Sequence, residues 1–252
     1  DPIGIARRKP RSVGSWTVYE VAETGSTNSD LLELVASGDA ADRTVLRADH
    51  QTAGRGRLDR RWEAPAGANL LVSVLFTEPP PVPSVLTQAL GVAALDAIER
   101  IAGSDRLQRL GLKWPNDLLV DGRKLAGVLA QRSPATGAIV VGMGLNVGWA
   151  PSGSASLAAD LGLDVTPQAL LDQLLVEFDR LLSTVATGGE GVVGRYRTRL
   201  ATLGAQVRVE LPDGGHIVGQ ATGLDDFGRL MVDDGEATLT LDVGDIVHLR
   251  PI

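Results

Sequence analysis

Residues 111–131 read GLKWPNDLLVDGRKLAGVLAQ, and the pair Asp121-Gly122 inside this stretch decides how the segment folds. An Asp-Gly link between apolar runs accepts left-handed backbone at both positions, which suits the twist of a two-residue β-hairpin. Leu118 to Val120 and Lys124 to Ala130 are therefore expected on neighbouring antiparallel strands. Upstream, Pro115 and Asn116 make a turn with Lys113 and Asp117 on either side of it. A lysine just past a hairpin turn is ordinarily a solvated edge charge. On local grounds alone, Lys124 reads as such an edge charge.

Working outward, Asn69 to Thr77, NLLVSVLFT, is an apolar strand of the kind buried at the centre of a sheet. Thr17 to Val21, Thr44 to Asp49 and Ala138 to Gly142 read as further strands. Ser26, Thr27 and Asn28 are helix-start residues, Leu31, Leu32, Leu34 and Val35 give an apolar face at helical spacing, and Gly38 is the stop. Pro79 to Pro83 break the chain before a long helix opened by Ser84. Two more helices are expected, from Thr166 or Pro167 through Leu182 and from about Val192 to Leu203. Past Gly204 the pattern turns to short alternating runs: Val207 to Leu211, His216 to Leu224, Gly228 to Asp233, Ala237 to Leu241 and Ile246 to Leu249. These runs, separated by Asp-Gly and Gly-Gly turns, read as a small barrel packed on the main body. The expected class is α+β, divided into residues 1–204 and 205–252.

The chain has 252 residues and a formal charge of −7. A nucleic-acid coat needs a broad basic face, which this balance does not provide. Cysteine is absent, which removes disulfides, thiolate metal sites and a cysteine nucleophile and fits a reducing compartment. No apolar run reaches the length of a bilayer crossing, and no signal-peptide core is seen at the start. The basic stretch from Arg7 to Arg11 reads as a surface tail. The expected location is cytoplasmic, with no membrane partner.

Against this acidic background, QTAGRGRLDRRW at residues 51–62 places Arg55, Arg57, Arg60 and Arg61 around Gly54 and Gly56. Arginine offers a permanent charge in a planar fork matched to phosphate oxygens, and glycine lets backbone approach a ligand closely. The segment is a poor helix and a poor strand. It reads either as a solvated basic loop or as one that orders over an anion. MGLNVG at residues 143–148 invites comparison with a dinucleotide fingerprint. The glycine spacing is wrong, Trp149-Ala150-Pro151 follows in place of a helix, and no Walker-type motif occurs.

Taken together, QTAGRGRLDRRW, KWPNDLLVDGRKLAGVLAQ and GMGLNV, in this order and spacing, resemble the biotin protein ligase family. The resemblance runs from about Ser26 to the C-terminus. Asp59 stands where the family's usual G-R-G-R-x-G-R-x-W has its third glycine. The stretch before Thr17 is too short for the helix-turn-helix domain of family members that act as repressors, so the monofunctional type is expected. The fold implied is a mixed β-sheet with packed helices, like that of class II aminoacyl-tRNA synthetases, followed by an SH3-like barrel.

The reaction implied by the resemblance has two steps, with biotin and ATP as substrates and Mg2+ as the nucleotide's counter-ion. Biotinyl-adenylate forms first, and biotin then passes to a lysine of a biotin carboxyl carrier domain of an acetyl-CoA or acyl-CoA carboxylase. By the same resemblance Ser26, Thr27, Asn28 and Gln51 meet biotin's ureido ring, the loop Gly54, Arg55, Gly56 and Arg57 covers it, and Trp62 walls the apolar part. Lys124 reaches both biotin's carboxylate and the α-phosphate, with Arg55 and Arg57 as the other catalytic cations. Arg57, Arg60, Lys113, Asn116, Lys124 and Asn146 serve the nucleotide. Asp117 has two readings, a base for the acceptor amine and a turn aspartate bonded to local backbone. The rival of the same fold is a lipoate ligase or octanoyl transferase, whose pocket takes an acyl chain without a ureido head. A DNA-binding regulator and an adaptor built on the barrel are rivals of other classes.

Overall fold

The computed structural model describes residues 3–58, 60–103, 108–186, 190–211, 213–242 and 245–248. Asp59 and the Leu249 end of the last expected strand lie outside them.

Eight strands form the larger sheet: β1 (Arg11–Val13), β2 (Trp16–Thr24), β3 (Thr44–Gln51), β4 (Leu70–Phe76), β5 (Leu110–Lys113), β6 (Asp117–Val120), β7 (Arg123–Arg132) and β8 (Ile139–Leu145). Their spatial order is β1-β2-β3-β4-β8-β7-β6-β5. The β2–β3 pair is parallel and the others are antiparallel, so the sheet is mixed. β4 is buried along its whole length at the sheet's centre, as its apolar run predicts.

Alternate residues of the central strands feed two separate cores. Val45, Val72, Val74 and Val141 face α2 (Ser84–Ala102) and α4 (Pro167–Ala186). Leu46, Ala48, Leu75 and Val140 face α1 (Thr27–Ser37). Helix α1 packs on β3, β4 and β8. The continuation of its face over β7 and β6 is where the cavity described below opens.

Asp121 and Gly122 take φ of 48° and 75°, and Val120 pairs with Arg123, so the Asp-Gly hairpin is present as expected. The sequence reading needs correction in three places. Arg11, assigned to a surface tail, begins β1 and is paired to Glu20 and Asp172. Leu110–Lys113 is a strand, closed on β6 by the turn at residues 114–116. The helix expected from Val192 to Leu203 is α5 (Glu190–Thr198), and the chain beyond it leaves helical geometry to bond β5: Leu112 donates to the Arg199 carbonyl at 2.8 Å and Ala201 to that of Leu112 at 2.7 Å. A short α3 (Leu157–Leu161) was not anticipated.

The second sheet comprises β9 (Gln206–Glu210), β10 (His216–Leu224), β11 (Leu230–Asp233), β12 (Thr238–Leu241) and β13 (Asp245–His248), in the order β12-β11-β10-β9-β13. It is antiparallel throughout and forms the SH3-like unit. Its buried Val207, Val209, Ala221, Leu224, Leu230 and Val232 belong to the same apolar cluster as α2 and α4. The small unit thus shares a core with the large one, which offsets its limited capacity to bury surface by itself.

Candidate active site

A cavity of about 350 Å³ lies between the open half of the α1 face and residues 55–63. Its floor follows from strand register. Leu129 and Ser73 flank Gly142, and in the next row Gly127 stands beside Gly144 with Asp117 opposite Gly127. Glycine is needed here for space. A Cβ on Gly142 would overlap the Asn28 amide, and one on Gly144 would overlap the Trp62 indole. The spacing that failed as a dinucleotide fingerprint clears the floor of a cavity instead.

Lys124 reaches this floor through a β-bulge. Leu118 pairs with Ala126 but Leu119 pairs with Lys124, so Leu125 is the extra residue. Leu125 and Ala126 both point into the main core, which shifts the alternation and turns Lys124 onto the cavity side with Gly127. Bulges re-aim side chains in this way. Lys124 Nζ lies 2.7 Å from Asp117 Oδ1, outside hydrogen-bond alignment, and 5.7 Å from the Trp62 ring centroid. Burial first, and the Asp117 charge second, push the Tyr196 phenol on α5 well above its ordinary value, so it remains protonated.

The polar end is built at the start of α1. Ser26 occupies the N-cap position, yet its side chain makes no capping bond. Gln51 caps instead: its Oε1 accepts from Thr27 N–H at 2.8 Å and from the Thr27 hydroxyl at 3.1 Å. Capping by Ser26 itself is therefore corrected. Gln51 reaches the helix because Thr24 and Gln51, the ends of β2 and β3, are aligned in register. Asn28 is 5% exposed and bonded on all sides, donating to Leu129 O and Gln131 Oε1 and accepting from Ser73 Oγ at 2.6 Å. A serine inside an otherwise apolar buried strand was the available sign of this network, and the sequence reading missed it.

Residues 54–62, described except for Asp59, fold into a compact hairpin over the cavity rather than an open loop. Arg55 bridges Arg61, Gly56 donates to Arg60 O at 2.7 Å, and Trp62 donates to Gly54 O at 3.0 Å. Arg57 Nη1 reaches Asn116 Oδ1 at 3.3 Å, and Asn116 Nδ2 donates to Val128 O at 2.7 Å. Among the described residues, Arg55, Arg57, Arg60, Arg61 and Lys124 line the cavity against Asp117 and Glu63, so the field of these residues favours anions.

The structure brings Ser26, Thr27, Asn28, Gln51, Arg55, Gly56, Arg57, Arg60, Trp62, Asn116, Asp117, Lys124 and Asn146 to one cavity. Two expected residues are not on its wall. Gly54 is buried beneath the hairpin against the Trp62 carbonyl, and Lys113 stands opposite Asp117 at the mouth of the β5–β6 turn. Asn146 lines the wall with its amide already engaged. It donates to Ala155 O at 3.0 Å and accepts from Asn69 at 3.2 Å, while Asn69 Oδ1 takes the N–H groups of Val147 and Trp149. The arrangement offers a neutral donor–acceptor end, an apolar middle under Trp62 and a cationic end.

Comparison with known proteins agrees with this geometry. Residues 21–147 match the profile described as the biotin/lipoate A/B protein ligase family, and residues 202–249 match that of the biotin protein ligase C terminal domain. The chain is 42% identical to a biotin–[acetyl-CoA-carboxylase] ligase of Mycobacterium tuberculosis over 237 residues, covering 91% of this chain and 88% of that protein. A ligase of the same description from Paracoccus denitrificans is 34% identical over 84% of this chain and 92% of its own length. Among solved structures, the Aquifex aeolicus biotin protein ligase in complex with biotin and ATP superposes with a TM-score of 0.79 at 26% identity, covering 93% of this chain and 99% of that one. Match, coverage and site geometry lead to one conclusion: the chain belongs to the biotin/lipoate A/B protein ligase family.

Proposed function

We propose that this protein is an ATP-dependent biotin protein ligase, and that the cavity over β7 and β8 holds both biotin and the adenylate. One observation carries the reading: a polar cluster suited to a cyclic urea and a cluster of five cations line the same cavity. The Ser26 hydroxyl, the Thr27 hydroxyl and the Gln51 amide serve the ureido ring, since hydroxyl and amide groups both donate and accept. Asn28 acts from behind by fixing Ser73. A pocket for lipoate would not need this cluster. The relatives' description as ligases of biotin supports the same choice.

In the first step an oxygen of biotin's carboxylate attacks the α-phosphorus of ATP, the bond to the β-phosphate oxygen breaks, and pyrophosphate leaves. Two anions meet, so fixed positive charge supplies the main stabilisation. Lys124 lies between the two reacting groups, Arg55 and Arg57 cover them, and Arg60, Asn116 and the wall at Asn146 serve the nucleotide. Lys113, outside the wall but opposite Asp117, is the remaining nucleotide-binding candidate. Mg2+ accompanies ATP, held mainly by phosphate oxygens; the cationic wall, with two carboxylates among its described residues, fits an ion that arrives with the nucleotide. In the second step the amine of an acceptor lysine attacks the acyl carbon and AMP departs. Asp117 accepts the amine proton once Lys124 has turned to the phosphate. The acceptor class is the biotin carrier domain of an acyl-CoA carboxylase; the Mycobacterium relative's description, which names acetyl-CoA carboxylase, supports that choice. Residues 1–204 form the catalytic unit and 205–252 the C-terminal unit. No helix among the described residues is long and apolar enough to cross a membrane, and we assign the reaction to the cytoplasm, which supplies the ATP it consumes.

The test is transfer of labelled biotin to a purified carrier domain, with and without ATP, with lipoate as competitor. Transfer that requires ATP and ignores lipoate is expected. Absence of transfer overturns the assignment. In the same assay, single-turnover transfer from preformed biotinyl-adenylate should slow by about 100-fold or more in Asp117→Asn, and an unchanged rate removes Asp117 as the base.

A further inference from the structure

Among the described residues, the C-terminal unit reaches the catalytic turn through the β10–β11 turn. The β10–β11 turn is a rigid key: Gly228 N–H donates to Asp225 O at 3.0 Å, and Asp225 Oδ1 accepts from Phe227 N–H at 3.0 Å and from Arg229 N–H at 2.9 Å. The Gly228 carbonyl projects into the large unit and accepts two hydrogen bonds, from Gln88 Nε2 on α2 at 3.0 Å and from Trp114 Nε1 at 3.2 Å. Both donors come from buried side chains, 4% and 2% exposed. Gly228 has φ of 75°, and a Cβ there would overlap the Gln88 amide, so conformation and space both demand glycine.

Trp114 is also held at its backbone, where its N–H donates to Thr202 Oγ1 at 3.1 Å. Two bonds from beyond residue 200 thus fix the residue that begins Trp114-Pro115-Asn116-Asp117. Asn116 meets Arg57 at 3.3 Å, and Asp117 meets Lys124 at 2.7 Å. A continuous path of contacts, buried at Gln88, Trp114 and Thr202 and partly exposed beyond them, joins the small unit's turn to the arginine hairpin and to the reactive ion pair.

We propose that Gly228, Gln88 and Trp114 form a positioning node through which the C-terminal unit sets the geometry of Asn116 and Asp117, so that the small unit contributes to catalysis without touching substrate. The inference rests on the ligase reading and answers what the small unit does for it. A misplacement on the order of 1 Å at a reacting group costs rate rather than binding. The node should therefore act on kcat and leave ground-state affinity for biotin unchanged.

The experiment uses the full chain and compares wild type with Trp114→Phe and Gln88→Met, each of which removes one donor to the Gly228 carbonyl while keeping bulk. Biotin-dependent pyrophosphate release in the presence of a carrier domain gives kcat and KM over both steps, and thermal melting reports folding. Each variant, folded at the assay temperature, is expected to lose about tenfold in kcat with KM for biotin held within about twofold. Should Trp114→Phe fail to fold, Gln88→Met carries the same reading. Unchanged kcat in a folded variant, or a loss confined to KM, overturns the node. If wild type itself releases no pyrophosphate in response to biotin, the ligase reading falls; if wild type is active and both variants match it, only the node falls.

Discussion

The cations of the cavity come from two regions built in opposite ways. The hairpin of residues 54–62 carries four arginines on a segment whose backbone bonds close mostly on itself, from the Gly56 N–H to the Arg60 carbonyl and from the Trp62 N–H to the Gly54 carbonyl. Arg57 bonded to Asn116 and Trp62 lying on Gly144 are two of its contacts with the rest of the site. The floor carries one lysine on β7, a strand paired on both edges and aimed by a bulge whose extra residue is fully buried. A self-contained hairpin can lift as a unit at modest cost, whereas moving the Lys124 backbone means breaking two ladders. Charge that must admit and then enclose a ligand sits on the first kind of structure. Charge that must meet reacting atoms within tenths of an ångström sits on the second.

If that division holds, the largest effect should come from the floor. Lys124→Met removes the cation that the proposed mechanism sets between carboxylate and α-phosphate and leaves Asp117 without its ion-pair partner. Adenylate formation should fall by about 100-fold to 1000-fold, the range for losing a preorganised charge-stabilising group. Arg55→Ala on the hairpin should cost no more than about tenfold. Rapid-quench measurement of pyrophosphate release in the two variants decides the matter, and a larger loss in Arg55→Ala would reverse the assignment of roles.

A second substitution tests how the regions meet. Gly144→Ala puts a methyl group into the face of the Trp62 indole. Since β8 is paired on both sides, the hairpin should be the part that yields. Overpacking of this kind costs about 1–3 kcal/mol, which should appear as roughly tenfold weaker biotin binding or more by calorimetry, with a changed tryptophan emission and a small drop in melting temperature. Weakened binding without any tryptophan change would mean that the sheet moved instead.

The same contrast explains what the sequence discloses. Composition marks the arginine hairpin at once, because four arginines among glycines on an acidic chain are conspicuous without knowing their fold. The Asp-Gly link marks the β6–β7 hairpin, since two residues with local φ requirements determine it. The bulge at Leu125 is silent: one leucine more or less in an apolar run changes no pattern, yet it decides which side of the sheet Lys124 occupies. Gly142 and Gly144 are visible as glycines, but the reason for them is Asn28 and Trp62, more than 80 residues away in chain order. Strand β5 and the bonded stretch 199–201 were missed for a related cause. Each is short and draws its order from the other, and pairing between distant segments leaves no periodicity within either.

The smallest effect expected concerns acid. The arginines of the hairpin keep their charge at any working pH, so pH sensitivity should originate in the floor, where Asp160 ties the β6–β7 hairpin to the loop before α3. Its Oδ2 accepts from Ser156 N–H at 2.7 Å and its Oδ1 is paired to Arg123. The Ser156 N–H first, and the Arg123 guanidinium against some desolvation, hold the Asp160 carboxyl below the usual aspartate value. A depressed folded-state value contributes stability that is complete above the unfolded value of about 3.9 and disappears as pH falls through the folded one. Asp160→Asn should therefore lower the melting temperature at pH 7 by a few degrees, the scale of losing one capping bond of about 1 kcal/mol. The difference from wild type should shrink once pH drops below about 3.9. A gap that stays constant from pH 7 down to the acid transition would show that the carboxylate's charge is not what holds this edge of the floor.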